Sequence, residues 1–153
     1  MKLLNLGAGN RVLSGNEGDI VINHDIIAHR PEINSVWDLN KTPWIWSENE
    51  FDQIEFVAVI EHLRLNAIES LNECHRILKP SGILIVKYPL YSSPTFHDDP
   101  THVNALSEFS LDYVIPGTRY GDDYSFYTPY KWRLLARGVI KNRNVKAKMQ
   151  PIK

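Results

Sequence analysis

Apolar residues in this chain come in short runs separated by turn formers, and the period of each run predicts an element. Leu3-Leu4-Asn5-Leu6 breaks into Gly7-Ala8-Gly9-Asn10. That is the pattern of a buried strand ending in a tight turn, since glycine takes positive φ without a steric penalty and lets a ligand approach the backbone. Asp19 to His24 is β-branched and apolar enough for a second buried strand, Ser35-Val36-Trp37 for a short third, and Asp52 to Ala58 for a fourth. Between the first two strands, Asn10, Ser14, Gly15, Asn16 and Gly18 favour a loop holding about one turn of helix. Helical spacing comes with Ile68, Leu71, Cys74, Ile77 and Leu78, opened by Asn66 and Glu69 as a capping box and stopped by Pro80-Ser81-Gly82. Ile83 to Val86 then reads as an internal parallel strand. Asp99 before Pro100 reads as a helix start, and Ser107 as the cap of a short helix through Val114. Lys131 to Ile140 and Val145 to Met149 form a closing hairpin turning at Asn142-Arg143-Asn144. Strands alternating with crossovers predict an α/β fold with a mostly parallel sheet.

Composition changes little. With 153 residues, 43% hydrophobic and 23% charged, the chain reads as one domain with a core that buries roughly 70% of the unfolded surface. No apolar run approaches the ~20 residues of a membrane helix, and no leader opens the chain, so a cytoplasmic location is expected. The single Cys74 sits in a helical pattern and is expected to be a packed thiol. A net charge of −1 hides an asymmetry: Tyr124 to Lys153 carries eight Lys and Arg and no acid. Such a run can meet nucleic acid or an anionic acceptor, but lysines on an edge strand also prevent aggregation, and that is the expected role.

The candidate chemistry gathers at the predicted strand ends. Gly7-Ala8-Gly9 at the end of a first parallel strand is a nucleotide cradle. A dinucleotide fingerprint needs Gly or Ala three residues after its second glycine, and Val12 stands there, which argues against a nicotinamide-dependent oxidoreductase. Asp25 closes the second strand, where its two oxygens can accept both ribose hydroxyls of an adenosine or else merely cap a turn. Asp38 closes the third. Trp44 and Trp46 either stack on adenine or staple their loop to the core, and the staple is favoured. His62, after the fourth strand, is a base at the crevice mouth or a satisfied structural histidine. His97-Asp98-Asp99-Pro100-Thr101-His102 is the densest titratable cluster. A histidine there can take an acceptor's proton near neutral pH, and the two His and two Asp could instead ligate a divalent ion.

In register, these motifs resemble the class I S-adenosylmethionine-dependent methyltransferases, most closely the small type 11-like members. The matching residues are Leu4 to Asn10, His24-Asp25, Val36 to Leu39, Phe51-Asp52 with Ile60 to Leu63, and Arg76 to Gly82, which span roughly residues 3 to 90. The resemblance implies a three-layer Rossmann-like methyltransferase fold over residues 1–153. Its sheet is seven-stranded, mostly parallel, and closed by a C-terminal antiparallel hairpin. Residues 1–90 form the cofactor-binding half, and 90–153 the acceptor-side loop and hairpin. It implies S-adenosyl-L-methionine as cofactor, held by Asn5, Gly7, Ala8, Gly9, Asp25, Ile26, Asp38, Leu39, Ile60 and Glu61. In that family Asp25 falls on the ribose position, and Asp38 receives the adenine amino group while the Leu39 backbone reads the ring.

The implied activity is methyl transfer to an O, N or C nucleophile of an acceptor, expected to be a small molecule rather than nucleic acid. Asp-Pro-x-His segments in some small relatives favour His102 as a catalytic group beside His62, with no metal expected. The Pro-Pro-aromatic signature of enzymes that methylate DNA base amino groups is absent at Val59 to His62. Met1 and Lys2 leave no room for the leading helix of many relatives, so the site is expected to be open or covered by a homodimer or partner subunit. A non-catalytic S-adenosylmethionine-binding subunit is therefore the second reading.

Overall fold

The computed structural model describes residues 1–153. Seven strands, β1 (Lys2–Leu6), β2 (Ile20–Asp25), β3 (Ser35–Val36), β4 (Phe51–Val57), β5 (Leu78–Pro89), β6 (Lys131–Ile140) and β7 (Asn144–Ile152), form one sheet in the order β3-β2-β1-β4-β5-β7-β6. β3, β2, β1, β4 and β5 run parallel, and β7 joins antiparallel to both β5 and β6. This is the α/β architecture expected from the alternating pattern, with the closing hairpin in place. The antiparallel β7 between β5 and β6 also separates the sheet from the 3-2-1-4-5-6 dinucleotide order, a second mark against a nicotinamide enzyme.

Strand alternation builds the core. Leu4 and Leu6 of β1, Ile54 and Phe56 of β4, and Leu84 and Val86 of β5 are fully enclosed. Helix α1 (Ala67–Ile77) lays Leu71, Cys74 and Ile77 into the same cluster, and its N-terminus carries the predicted Asn66–Glu69 capping box. Burial pushes the Cys74 thiol well above its ordinary pKa, as a packed rather than reactive cysteine requires. Trp44 and Trp46 act as the staple: both are buried, Trp44 edge-on to Phe56 and Trp46 edge-on to Phe51. Arg76 of α1 fixes their loop through the carbonyls of Trp44 and Trp46.

The loop between β1 and β2 holds no helical turn, and three predicted boundaries differ. Pro80-Ser81-Gly82 does not end the helix; α1 stops at Ile77 and β5 begins at Leu78, which pairs with Phe51 before the register resumes at Ile83 opposite Gln53. The four residues between bulge out of the strand, since Leu78 buries its side chain completely and Pro80 has no N–H for the ladder. No helix starts at Asp99. Its carboxylate instead accepts from the backbone and hydroxyl of Thr101, while the Val103 and Asn104 N–H groups go to the Glu61 carbonyl. After Ser107 only a single 3-10 turn forms, Asp112–Val114. The remaining helices are short, α2 (Pro94–His97) and α3 (Arg119–Asp123). The basic C-terminal residues are dispersed: Arg137 pairs with Asp112, Lys153 turns back to the Asn49 side chain, and Lys146 and Lys148 stand exposed on β7.

Candidate functional site: a cavity at the strand tips

β1 lies between β2 and β4, so the chain leaves its two sides in opposite directions and a crevice opens at the carboxyl ends of the strands. Two left-handed residues shape it, Gly7 (φ 60°) beyond β1 and Ala58 (φ 57°) beyond β4. A Cβ on Gly7 would lie 2.4 Å from a methyl of Val59, so only glycine fits there. The cavity measures about 300 Å³, and Gly7, His24, Asp25, Ile26, Asp38, Leu39, Val59 and His62 are among its walls.

Asp25 caps its turn and also lines the cavity. Its Oδ2 accepts from the Gly9 N–H at 2.8 Å and its Oδ1 from the Ile26 N–H at 2.7 Å, which braces the turn. A carboxylate offers about four acceptor positions, so two remain for hydroxyl donors in the cavity. Asp38 takes both the N–H and the side-chain amide of Asn40 on Oδ1 alone.

His24, which the sequence marks only as the neighbour of Asp25 in a matched motif, is central. Its imidazole is buried: Nδ1 accepts from the Gly7 N–H at 3.3 Å and Nε2 donates to the Trp37 carbonyl at 2.9 Å. Burial holds its pKa below the ordinary histidine value, which keeps the ring neutral and this tautomer in place. The ring thus ties the glycine turn to the exit of β3. Beyond that motif, its signal is a polar residue inside an apolar strand.

The other predicted cofactor residues lie behind the wall. Asn5 is buried and donates to the Arg11 carbonyl and to Asn23 Oδ1, holding the loop after β1 against β2. Ala8 donates its N–H to the His24 carbonyl, and Gly9, at φ 52°, completes the turn. Ile60 belongs to the core, and Glu61 sits beneath it at 1% exposure.

Opposite the carboxylates stands a second cluster, joined from two distant loops. The His62 and His102 rings are 4.5 Å apart, centre to centre. Thr101 donates its hydroxyl proton to Asp99 at 2.7 Å, so its oxygen accepts from His62 Nδ1 at 2.8 Å, and Nε2 of His62 keeps the lone pair. Burial and the neighbouring His102 push the His62 pKa down. His102 donates from Nδ1 to the Phe96 carbonyl at 2.8 Å. Its Nε2 lies 4.0 Å from Glu61 and 3.9 Å from Asp99. Desolvation raises the Glu61 carboxyl to about 7, and its Oε2 has no hydrogen-bond partner. His97 and Asp98 stay outside, so the predicted group of four is replaced by Glu61, His62 and His102 with Asp99 behind. Asn104 locks the two loops together by donating to the carbonyls of Ile60, Leu63 and Leu65.

The family described as a methyltransferase domain matches residues 35–86. No curated protein matches the sequence. Among solved structures, an S-adenosylmethionine-dependent methyltransferase of Archaeoglobus fulgidus superposes with a TM-score of 0.64 at 16% identity, over 97% of this chain and 85% of that one. One from Aquifex aeolicus gives 0.62 at 17% identity, over 100% and 82%. A third structure is a complex of the Haloferax volcanii Trm112 methyltransferase activator with the protein taken to be its methyltransferase. It gives 0.65 at 11% identity, over 97% and 81%.

Proposed function

We propose that the chain is a class I S-adenosylmethionine-dependent methyltransferase, a reading supported by the family match over residues 35–86 and by the fold, and that it methylates an oxygen or nitrogen nucleophile of a small acceptor in the cytoplasm. The observation that carries this reading is one cavity walled by Gly7, Asp25 and Asp38 on one side and His62 on the other. These residues suit S-adenosylmethionine: the glycine turn leaves space that a Cβ would fill, and two carboxylates end successive strands. Asp25 would hold the ribose hydroxyls, Asp38 the adenine amino group and the Leu39 backbone the ring. The sulfonium supplies a methyl that is already electrophilic. What remains for the chain is to fix the acceptor in line, an effect that can contribute ~7–11 kcal/mol, and to take its proton. His62, neutral and on the cavity wall with a free Nε2, serves that proton; His102 sits behind it as the alternate base.

The test uses S-adenosylmethionine labelled in its methyl group, incubated with the protein and a metabolite extract. Label is expected in the small-molecule fraction, and His62→Ala is expected to abolish it while cofactor binding by calorimetry stays within about threefold. Undiminished labelling in that variant would remove His62 from the mechanism. A second reading, a cofactor-holding chain completed by a partner, draws on the activator complex among the similar structures and on exposed Ile26, Ile27 and Val36 along the sheet edge beside the cavity. It predicts cofactor binding with no transfer until a partner is added.

A further inference from the structure

Glu61, His62 and His102 each present one ligand atom, and the three atoms lie within 4.8 Å of one another. We propose that these residues bind a single divalent transition-metal ion behind the His62 side of the cavity wall.

Three observations converge on it. First, both imidazoles are fixed with Nε2 inward. His102 gives its Nδ1 proton to the Phe96 carbonyl and His62 gives its own to Thr101, which is oriented in turn by Asp99. A metal-bound histidine is held this way, the second ring nitrogen donating to a carbonyl or to a group that leads to a carboxylate. Secondly, Glu61 is 1% exposed and its Oε2 has no hydrogen-bond partner. No lysine or arginine pairs with it, and a buried carboxylate without a partner is costly, so a cation supplies what the protein leaves out. Thirdly, the loops are fastened from outside the cluster, by Asn104 on three carbonyls and by the Glu61 carbonyl on the Val103 and Asn104 N–H groups. The geometry is therefore held without any bond among the three ligands themselves.

The donor set selects the ion. Two imidazoles and a carboxylate, without thiolate, suit Zn²⁺ and its neighbours, whereas Mg²⁺ and Ca²⁺ prefer all-oxygen shells. Bonds of about 2.1 Å place tetrahedral ligand atoms roughly 3.4 Å apart. The 4.0 Å between His102 Nε2 and Glu61 Oε1 closes to that by small side-chain rotations. Three protein ligands leave a fourth position open, and because His62 also walls the cavity, that position faces the acceptor. Resting on the function proposed above, the ion binds the acceptor hydroxyl and lowers its pKa, so the proton leaves to solvent. The methyl carbon–oxygen bond then forms as the carbon–sulfur bond breaks, and the sulfonium becomes a neutral thioether. In this form the two histidines act as ligands rather than bases.

The experiment is metal uptake by the purified chain, stripped with chelator and dialysed against Zn²⁺ alone, with Mg²⁺ as the comparison. One zinc per chain and a raised Tm are expected with Zn²⁺, and neither with Mg²⁺. Glu61→Gln, which preserves shape, and His102→Ala should each weaken zinc retention at least tenfold. No retention, or retention unchanged in both variants, overturns the proposal and leaves Glu61 and His102 as an ordinary carboxyl–imidazole pair. If His102→Ala does not fold, X-ray absorption of the zinc-loaded wild type decides: two imidazoles and one carboxylate support the site, any other shell removes it. Calorimetry with S-adenosylmethionine on the same samples separates the two proposals, since zinc uptake without cofactor binding sinks only the proposed function, and the reverse sinks only this one.

Discussion

The two walls of the cavity are built by different means. On the cofactor side the contributing residues sit at or within three residues of the ends of their strands, and parallel register fixes their spacing: Leu4 pairs with both Ile22 and Ile54, which brings the ends of β1, β2 and β4 to one rim. On the other side His62 lines the cavity with Glu61 and His102 behind it, brought from loops some forty residues apart and held together by Asn104, by a pair of backbone bonds and by the His62–Thr101 hydrogen bond. A wall made by a sheet inherits the sheet's rigidity, whereas a wall made by loops is as firm as its few fastenings. The difference predicts that the two can be disabled separately.

Asn104→Ala gives the sharpest break. It removes an NH2 whose two protons are shared among three carbonyls, at about 1 kcal/mol per proton, so stability is expected to fall by about 2 kcal/mol. A lower Tm with cofactor affinity retained within about threefold supports the division, and loss of both together contradicts it.

Glu61→Gln sharpens the comparison through pH. Burial raises the folded carboxyl from 4.5 to about 7, so between those values the folded chain keeps a proton that the unfolded chain has released. The metal-free protein is thus most stable below about pH 4.5 with respect to this group. It loses as much as about 3 kcal/mol as pH rises through 7. The variant cannot ionise and should melt higher than the wild type at pH 8, with the gap closed at about pH 4, by thermal denaturation at both values.

Asp25→Ala acts on the opposite wall. Loss of the proposed charge-assisted bonds to the ribose, worth about 2 kcal/mol, predicts cofactor affinity down about 30-fold by calorimetry, with zinc retention unchanged.

The same division explains what could be read from the chain alone. Gly7, Asp25 and Asp38 were legible because each sits where an apolar run ends, and a local pattern carries its own address. The strands and α1 were legible for the same reason. His62 and His102 could be picked out singly by type, but nothing in either segment says that they meet, or that Glu61 rather than His97 and Asp98 joins them. The Asp99 turn misled because Asp-Pro suits a helix start equally well; the competition was settled by the Glu61 carbonyl, which takes the Val103 and Asn104 N–H groups that a helix would need. The role of His24 escaped notice because its task is a tautomer that couples Gly7 to Trp37, a relation across three strands.

Trp37 itself has an optical consequence. Of the four indoles, Trp44, Trp46 and Trp132 are enclosed in the core, while Trp37 borders the cavity half-exposed with its ring N–H on the Lys41 carbonyl. A purine entering beside it changes the surroundings of one chromophore and leaves the other three in the dark. The intrinsic fluorescence of the unlabelled chain is therefore a gauge of occupancy, with Trp37→Phe as its blank.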